Sequence, residues 1–509
     1  MGIQTANMKK TEYTVNDALY LWAEKNPEKT FLVEKHKTFS FSETKNIAES
    51  LAAFFIEQNI PTGAYVCLLL PRRSELIFSF LGACLAKLIP APVNYLEPVD
   101  NIQAICTALQ PAVIILDEQV VSQETLAFLR TTKSLVITMA CPDVTSSLLS
   151  WQACLKNKTM PCFPQTSPHE LAYLNYTTGS SGTPKGALCT HANLYWNTRS
   201  AVEVFQLNEN DVHLCMFAPF SHPHEFFCRA LYTGATLVLQ TEISPRSIIK
   251  TINTHGVTCM MALAVIYKVM ARHCPSATLP SLRIAECGGM FTDPQTHELF
   301  LSTFHLPILS VWGSTETTGI AIANTPDHYR TDGSMGKPCP HYRVKIVTEE
   351  GTMARSGEIG ELYFAGPGVV SGYHGTPVFP GDETWYASGD LARKDDNGFY
   401  YFIDRISGMI KVAGLKVYPL QVEIALLQHK QINEVAVIGV LDKRRGCVPK
   451  AFFVTHNNTR PTDEELIHFC RQKMASYMIP KMFQQVKELP KFPSGKIDKK
   501  KLNNWKDDS

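Results

Sequence analysis

Residues 176–186 read YTTGSSGTPKG, a run in which hydroxyls, glycines and one lysine stand close together. Holding phosphate oxygens takes converging backbone N–H groups and hydroxyls, glycines that let the backbone come near, and a cation that offsets the charge. Gly179, Ser180, Ser181, Gly182, Thr183 and Lys185 supply all three. The Walker form of such a loop needs a lysine followed directly by a magnesium-binding hydroxyl. Here Pro184 precedes Lys185 and Gly186 follows it, so a P-loop ATPase is the poorer reading. For the run taken alone, a flexible Gly/Ser/Thr linker is the bland alternative.

A phosphate loop works only if rigid elements hold its two ends, and the surrounding chain has the pattern to provide them. The chain's 509 residues exceed what one hydrophobic core ordinarily organises, which predicts two or more domains. SETKNIAESLAAFFIEQ, residues 42–58, places Ile47, Leu51, Phe54 and Phe55 on one helical face, and AYVCLLL and PAVIILD are short apolar strands. Such alternation predicts mainly parallel sheets covered by helices. Beyond about Gly333 the pattern becomes strands joined by glycine turns, with Asn397-Gly398 set as a hairpin turn, which predicts a smaller antiparallel sheet. The last hundred residues form a further α+β unit: strands at VAVIGV and KAFFVT precede a helix opened by the capping box Thr462 and Glu465.

Composition narrows the field without naming a partner. A formal net charge of +1 with 19% charged residues gives no global attraction to nucleic acid or membranes. The 15 cysteines lack C-x-x-C pairing, which fits a reducing cytoplasm and argues against disulfides and structural zinc. LIFSFLGACLAKLIP, residues 76–90, is too short to span a bilayer and reads as a buried helix. Met1-Gly2 lacks the hydroxyl residue that myristoylation needs at position 6, where Ala6 stands.

The loop is followed by further stretches in a recognisable order. VWGSTETTG (residues 311–319), GELYFAGPGVVSGY (360–373), YASGDLA (386–392), IDRISGMIKVAGLKVYPLQVE (403–423) and PSGKID (493–498) come after it. Together the six resemble the signature elements of the adenylate-forming superfamily, which includes acyl-CoA synthetases, beetle luciferases and peptide-synthetase adenylation domains. The resemblance covers the chain from about residue 171 to its end. It implies an N-terminal AMP-binding domain at residues 1–404 and a mobile C-terminal domain at 405–509, with a hinge near Ser407, where the family usually carries Asp or Lys.

It also implies a two-step reaction: a carboxylate attacks the α-phosphate of ATP to give acyl-AMP and pyrophosphate, and a thiol then displaces AMP. Bringing a carboxylate to a polyanion raises a mainly electrostatic barrier, which cations and fixed dipoles lower. By resemblance, Thr177, Thr178, Gly179, Ser180, Ser181, Gly182, Thr183 and Lys185 hold the β- and γ-phosphates, and Thr178 and Glu316 hold Mg²⁺, with a solvated loop carboxylate as the alternative for Glu316. Thr315 belongs to the same ATP site; Trp312 stands beside the adenine, with a core tryptophan as the alternative, and Gly288 and Gly289 let backbone lie against the base, with a simple turn explaining them about equally well. Asp390 and Arg405 clamp the ribose hydroxyls, with a plain surface ion pair as the alternative. Lys496 neutralises charge between the carboxylate and the α-phosphate, with the alternative that it and its neighbours Lys499, Lys500 and Lys501 are all surface charges. Gly414 keeps the thiol channel open once the C-terminal domain has rotated.

Acid and acceptor follow from the same comparison. Adenylation domains that take α-amino acids carry Phe-Asp where this chain has Phe220-Ser221, which points to a fatty, aryl or other non-amino acid with His222 lining its pocket. His222, His224 and Glu225 make a polar patch; Glu225 pairs with a substrate cation or with His224 or Arg229, and no third ligand accompanies the histidines to make a metal site. CoA is the default acceptor, with Lys443, Arg444 and Arg445 as candidate phosphate contacts. A stand-alone protein that loads a phosphopantetheine carrier protein is the alternative enzyme, and a nucleotide-binding protein without turnover the alternative of another class.

Overall fold

The computed structural model describes residues 11–140, 148–156, 162–177, 185–218, 220, 224–376, 385–442, 446–456, 459–491 and 497–504. They fall into two compact units. One comprises Met1–Asp332, Gly336–Arg343 and Phe364–Tyr386; the other comprises Gly333–Met335, Val344–Tyr363 and Ala387–Ser509.

Two sheets organise the first unit. The smaller is parallel throughout, in the order Ile89–Pro92, Tyr65–Leu69, Val113–Leu116, Leu135–Thr138, Leu149–Ser150. The larger has a parallel centre, Ile308–Ser314, Ile284–Cys287, Cys259–Ala262, Val212–Cys215, Thr236–Leu239 and Thr30–Glu34, and antiparallel strands at both edges. Several of the helices between the strands open at polar caps and bury an apolar face. Phe41–Glu57 starts at Ser40, whose hydroxyl and Glu43 form a reciprocal capping box, and buries Leu51, Phe54 and Phe55. It packs on Ser74–Leu85, a helix buried on every face, where a Cβ at Gly82 would lie 2.7 Å from the Leu51 Cβ. Among the described residues no helix is long and apolar enough to cross a membrane.

The second unit is antiparallel where the first is parallel. Arg343–Val347, Gly360–Ala365, Tyr386–Lys394 and Tyr400–Arg405 form one sheet in that order. Asn397-Gly398 turns its last hairpin, with Gly398 at φ 80°. A further sheet pairs Ile432–Asp442 with Gly446–Thr455 along their length and adds Met482–Gln485 in parallel. The helix Asp463–Arg471 begins at the Thr462 and Glu465 capping box and buries Leu466 and Cys470 in that sheet's core.

Candidate active site

The hairpin Leu171–Thr177 and Lys185–Thr190 holds the ends of the phosphate-loop sequence in place, with Thr177 paired to Lys185 and Tyr176 to Gly186. A Cβ on Gly186 would meet the Tyr176 ring at 3.2 Å, so glycine keeps that pair close. Thr178, Gly179, Ser180, Ser181, Gly182 and Thr183 lie outside the described residues. The segment 372–374 lines up on the same hairpin: Leu188 N donates to Gly372 O at 3.0 Å and His374 N to Gly186 O at 2.7 Å. This pairing sets the Tyr373 ring 5.5 Å from the Lys185 ammonium.

Tyr373 in turn donates its hydroxyl to Glu316 Oε1. Burial, then that bond, pushes the Tyr373 hydroxyl well above the usual phenol range, so it stays a donor. Glu316 sits in the tight turn between Ile308–Ser314 and Gly319–Ala323, and its carbonyl accepts from Val370 N at 2.8 Å. Buried side chains fix the turn's shape. Thr317 Oγ1 accepts from Ser314 N at 3.0 Å and donates to Gly319 O at 2.6 Å, and Tyr342 Oη donates to Thr317 O at 2.7 Å. Thr318 is held at φ 57°, a left-handed conformation costly for a β-branched residue, while its hydroxyl donates to Gly368 O at 2.7 Å. Thr315 carries the carbonyl that accepts from Thr318 N at 3.1 Å. The result is a carboxylate fixed in direction at the carboxyl end of a parallel sheet, where open α/β sheets bind ligands.

The next strand ends in the glycine pair. Gly289 has φ 80°, and a Cβ on Gly288 would lie 2.7 Å from Met261 Cε and 2.9 Å from Val311 Cγ2, so each needs glycine for its own reason. Trp312 is buried and stacks on Phe364, with centroids 4.2 Å apart and planes 4° from parallel. The indole face that Phe364 covers is closed to a base.

In the second unit, Asp390 and Arg405 are cross-strand partners, with Arg405 Nε 3.1 Å from Asp390 Oδ1. Asp390 is buried and Arg405 exposed, so the pair directs a carboxylate inward and leaves the guanidinium in solvent. Ser407 is exposed in the short turn Ile406–Gly408. Just before it, buried Asp404 accepts from Arg405 N at 2.8 Å and from Leu420 N at 2.9 Å, tying the strand end to the helix Pro419–Leu427. Ala413-Gly414 turns the hairpin Ile410–Val412 and Leu415–Val417 with φ 49° and 87°, and a Cβ on Gly414 would meet nothing within 4 Å. Lys496 lies outside the described residues, as do Lys443, Arg444 and Arg445. The flanks of 492–496 are joined by a bridge between Lys491 and Ile497 and by Asp498 N donating to Pro490 O at 2.7 Å. Lys499 is no loose surface charge: its ammonium is 2.6 Å from buried Glu423.

His222 and Ser221 also lie outside the described residues, but the five-residue π-turn His224–Cys228 that follows them forms one wall of a cavity. The cavity has about 30 Å³ of space open to water, and its other walls come from Val212–Cys215, Cys259–Ala262 and Ile284–Cys287. Arg229 and Glu286 are both buried beside it and joined twice, Nη1 to Oε2 at 2.5 Å and Nη2 to Oε1 at 3.2 Å. Burial pushes the Glu286 carboxyl up, and the guanidinium pulls it back. Sequence reading considered Glu225 for Arg229; the bidentate partner is Glu286, 57 positions away. Among the described residues Asp211, His213 and Cys259 present ligand atoms within 4.8 Å of one another. Asp211 already accepts from Arg283 Nε and Nη2, Thr258 Oγ1 and Asn208 N, so it is a structural brace and not a metal site.

The principal residue that sequence reading missed is Tyr373, quoted as the end of a glycine-rich stretch and given no role. Its signal was present in the chain: a tyrosine just after Ser371-Gly372, within the stretch that pairs back on the phosphate hairpin.

The model of the AMP-binding enzyme family matches residues 19–374, and that of the AMP-binding enzyme C-terminal domain matches 421–496. The chain is 28% identical to a long-chain-fatty-acid–CoA ligase of Bacillus subtilis, over 94% of this chain and 91% of that protein. It is 34% identical to a 2-succinylbenzoate–CoA ligase of Bacillus licheniformis, over 65% of this chain and 70% of the relative. Among solved structures, an anthranilate CoA ligase in complex with anthranoyl-AMP superposes with a TM-score of 0.88 at 25% identity, covering 97% of each chain.

Proposed function

The chain belongs to the AMP-binding enzyme family, and from that premise we propose how its residues divide the work of an AMP-forming acid–CoA ligase. The protein is an ATP-dependent acid–CoA ligase. A carboxylate oxygen of the acid attacks the α-phosphorus of ATP and pyrophosphate leaves. The CoA thiolate then attacks the acyl carbon and AMP leaves.

The observation that supports the residue assignment is the line from Lys185 through the Tyr373 ring to Glu316, which joins the phosphate loop to a fixed carboxylate within one unit. In this reading residues 177–185 hold the β- and γ-phosphates. Glu316 and Thr178 hold Mg²⁺, which when bound neutralises phosphate charge. Glu316 suits that ion because it offers hard oxygens in a direction set by Tyr373 and the Thr317 network. Gly288 and Gly289 bring backbone to the adenine beside Trp312, and Asp390 with Arg405 accepts and orients the ribose. Lys496 places its ammonium between the acid's carboxylate and the α-phosphate, and His222 lines the acid pocket. A C-terminal domain of residues 405–509, turning near Ser407, then withdraws Lys496 and brings Gly414 to the thiol.

The acid in this reading is not an α-amino acid, since Phe220 is followed by Ser221. A cytoplasmic setting belongs to the same reading and is supported by the cysteines, all of which are free among the described residues. The test is pyrophosphate release from ATP over a panel of fatty, aryl and amino acids, with and without CoA. Release that needs both an acid and CoA supports the assignment of CoA as acceptor. Acid-dependent release that CoA fails to accelerate would move the acceptor to the phosphopantetheine arm of a carrier protein.

A further inference from the structure

The cavity beside the π-turn His224–Cys228 has an apolar wall and a polar floor, and the floor is not saturated. Arg229 Nε and His213 Nε2 are both buried without a hydrogen-bond partner among the described residues, although the other two Arg229 nitrogens bind Glu286. Burial holds His213 down to about 4, so its ring is neutral at ordinary pH and one of its nitrogens can accept.

Depth and charge restrict what could complete these groups. The cavity's upper edge lies at the carboxyl ends of the parallel strands, where Glu286 pairs with Met261 and leads to Gly288. His213 pairs with Cys259, two residues deeper, or about 7 Å at a strand's rise per residue. At that depth the roughly 30 Å³ of open space admits a small polar group such as a hydroxyl or an amine. Glu286 already balances the Arg229 charge through two hydrogen bonds, so the floor offers a remote carboxylate on the substrate no unmatched cation. An unsubstituted alkyl end would strip water from Arg229 Nε and His213 Nε2 and return no hydrogen bond, which is costly.

We propose that the acid activated by this enzyme carries an uncharged hydrogen-bonding group, a hydroxyl or a neutral amine, at the end remote from its carboxylate, and that Arg229 and His213 select it. The inference rests on the ligase reading above and adds its substrate class. A hydroxyl completes the floor by accepting from Arg229 Nε and donating to the neutral His213 ring.

The experiment compares kcat/KM for CoA-dependent pyrophosphate release with benzoate, 3- and 4-hydroxybenzoate, 3- and 4-aminobenzoate, 4-carboxybenzoate and octanoate. At least one hydroxy or amino acid should exceed benzoate by about tenfold or more, as a site built to bond a polar group rejects the analogue that lacks it. The 4-carboxy acid should fall below benzoate. Arg229→Met combined with Glu286→Gln leaves neither charge unpaired, and His213→Phe perturbs the floor without touching that pair. In each the ratio of hydroxy or amino acid to benzoate should fall toward one. A preference of the unaltered enzyme for benzoate, octanoate or the 4-carboxy acid would overturn the inference and leave the ligase reading standing, as would a ratio that survives His213→Phe. No acid-dependent pyrophosphate release with any acid tested would sink both.

Discussion

Tyr373 donates its hydroxyl to Glu316 across 57 positions of chain, and the same ring lies beneath Lys185. One tyrosine therefore sets the direction of the carboxylate assigned to the metal and touches the cation assigned to the phosphates. Tyr373→Phe keeps the ring and removes the bond. The Mg²⁺ concentration for half-maximal activity should rise by about 10- to 100-fold, the usual cost of losing a residue that orients a metal ligand. Titrating Mg²⁺ at saturating ATP checks this, and an unchanged Mg²⁺ requirement with lower kcat would leave Tyr373 a packing residue only.

Lys496 is assigned to the first half-reaction alone. Lys496→Ala should slow acyl-AMP formation by about 10²- to 10³-fold, the scale of losing one group that stabilises developing charge. Conversion of supplied acyl-AMP and CoA to thioester should continue near its original rate. Rapid-quench assays of the separate steps decide the matter, and an equal loss in both would contradict a lysine that withdraws between them.

Gly414 raises a question of cause, because its φ of 87° already favours glycine while a Cβ there would meet open space. Gly414→Leu should impair thioester formation and spare acyl-AMP formation if a side chain obstructs the thiol. Gly414→Asn, which tolerates the left-handed turn, separates obstruction from strain. Both variants should slow thiolysis if obstruction is the cause, whereas an asparagine variant with ordinary thiolysis would point to the backbone.

His191 is buried, and its Nδ1 accepts from Val15 N at 3.4 Å. Burial lowers it to about 4, so the folded protein keeps it neutral while the unfolded chain protonates near 6.5. Between those values the unfolded state binds more protons, and stability is lost as pH falls. His191→Asn retains an acceptor but does not titrate. Urea midpoints measured from pH 7 to pH 4 should therefore fall more steeply for the unaltered protein than for the variant; parallel curves would dismiss the linkage.

Local features were legible in the sequence because their causes are local. The capping box at Thr462 and Glu465, the turn at Asn397-Gly398 and the apolar run that became the helix Ser74–Leu85 each lie within one short window. The change from parallel to antiparallel architecture near Gly333 was legible for the same reason, as strand patterns record which faces are buried. What could not be read were pairs made by the folded sheet. Tyr373 with Glu316 and Arg229 with Glu286 are each separated by 57 residues, and nothing in either neighbourhood announces the other partner. Trp312 shows a further limit: its position in the chain suggested a ring beside a base, while packing gave one of its faces to Phe364. The phosphate-loop interior, His222 and Lys496 lie outside the described residues, so their roles rest on sequence and family.

The cysteines give the molecule a built-in record of its own opening. Of the described ones only Cys162 is exposed, with Cys274 and Cys447 intermediate and the other 11 buried in the two units. A thiol-reactive dye added to the native enzyme would label the first quickly and the buried ones only as their surroundings breathe. Cys228 in the π-turn and Cys287 beside the glycine pair would then time fluctuations of those two elements, and Cys470 would time the C-terminal core, without any introduced label.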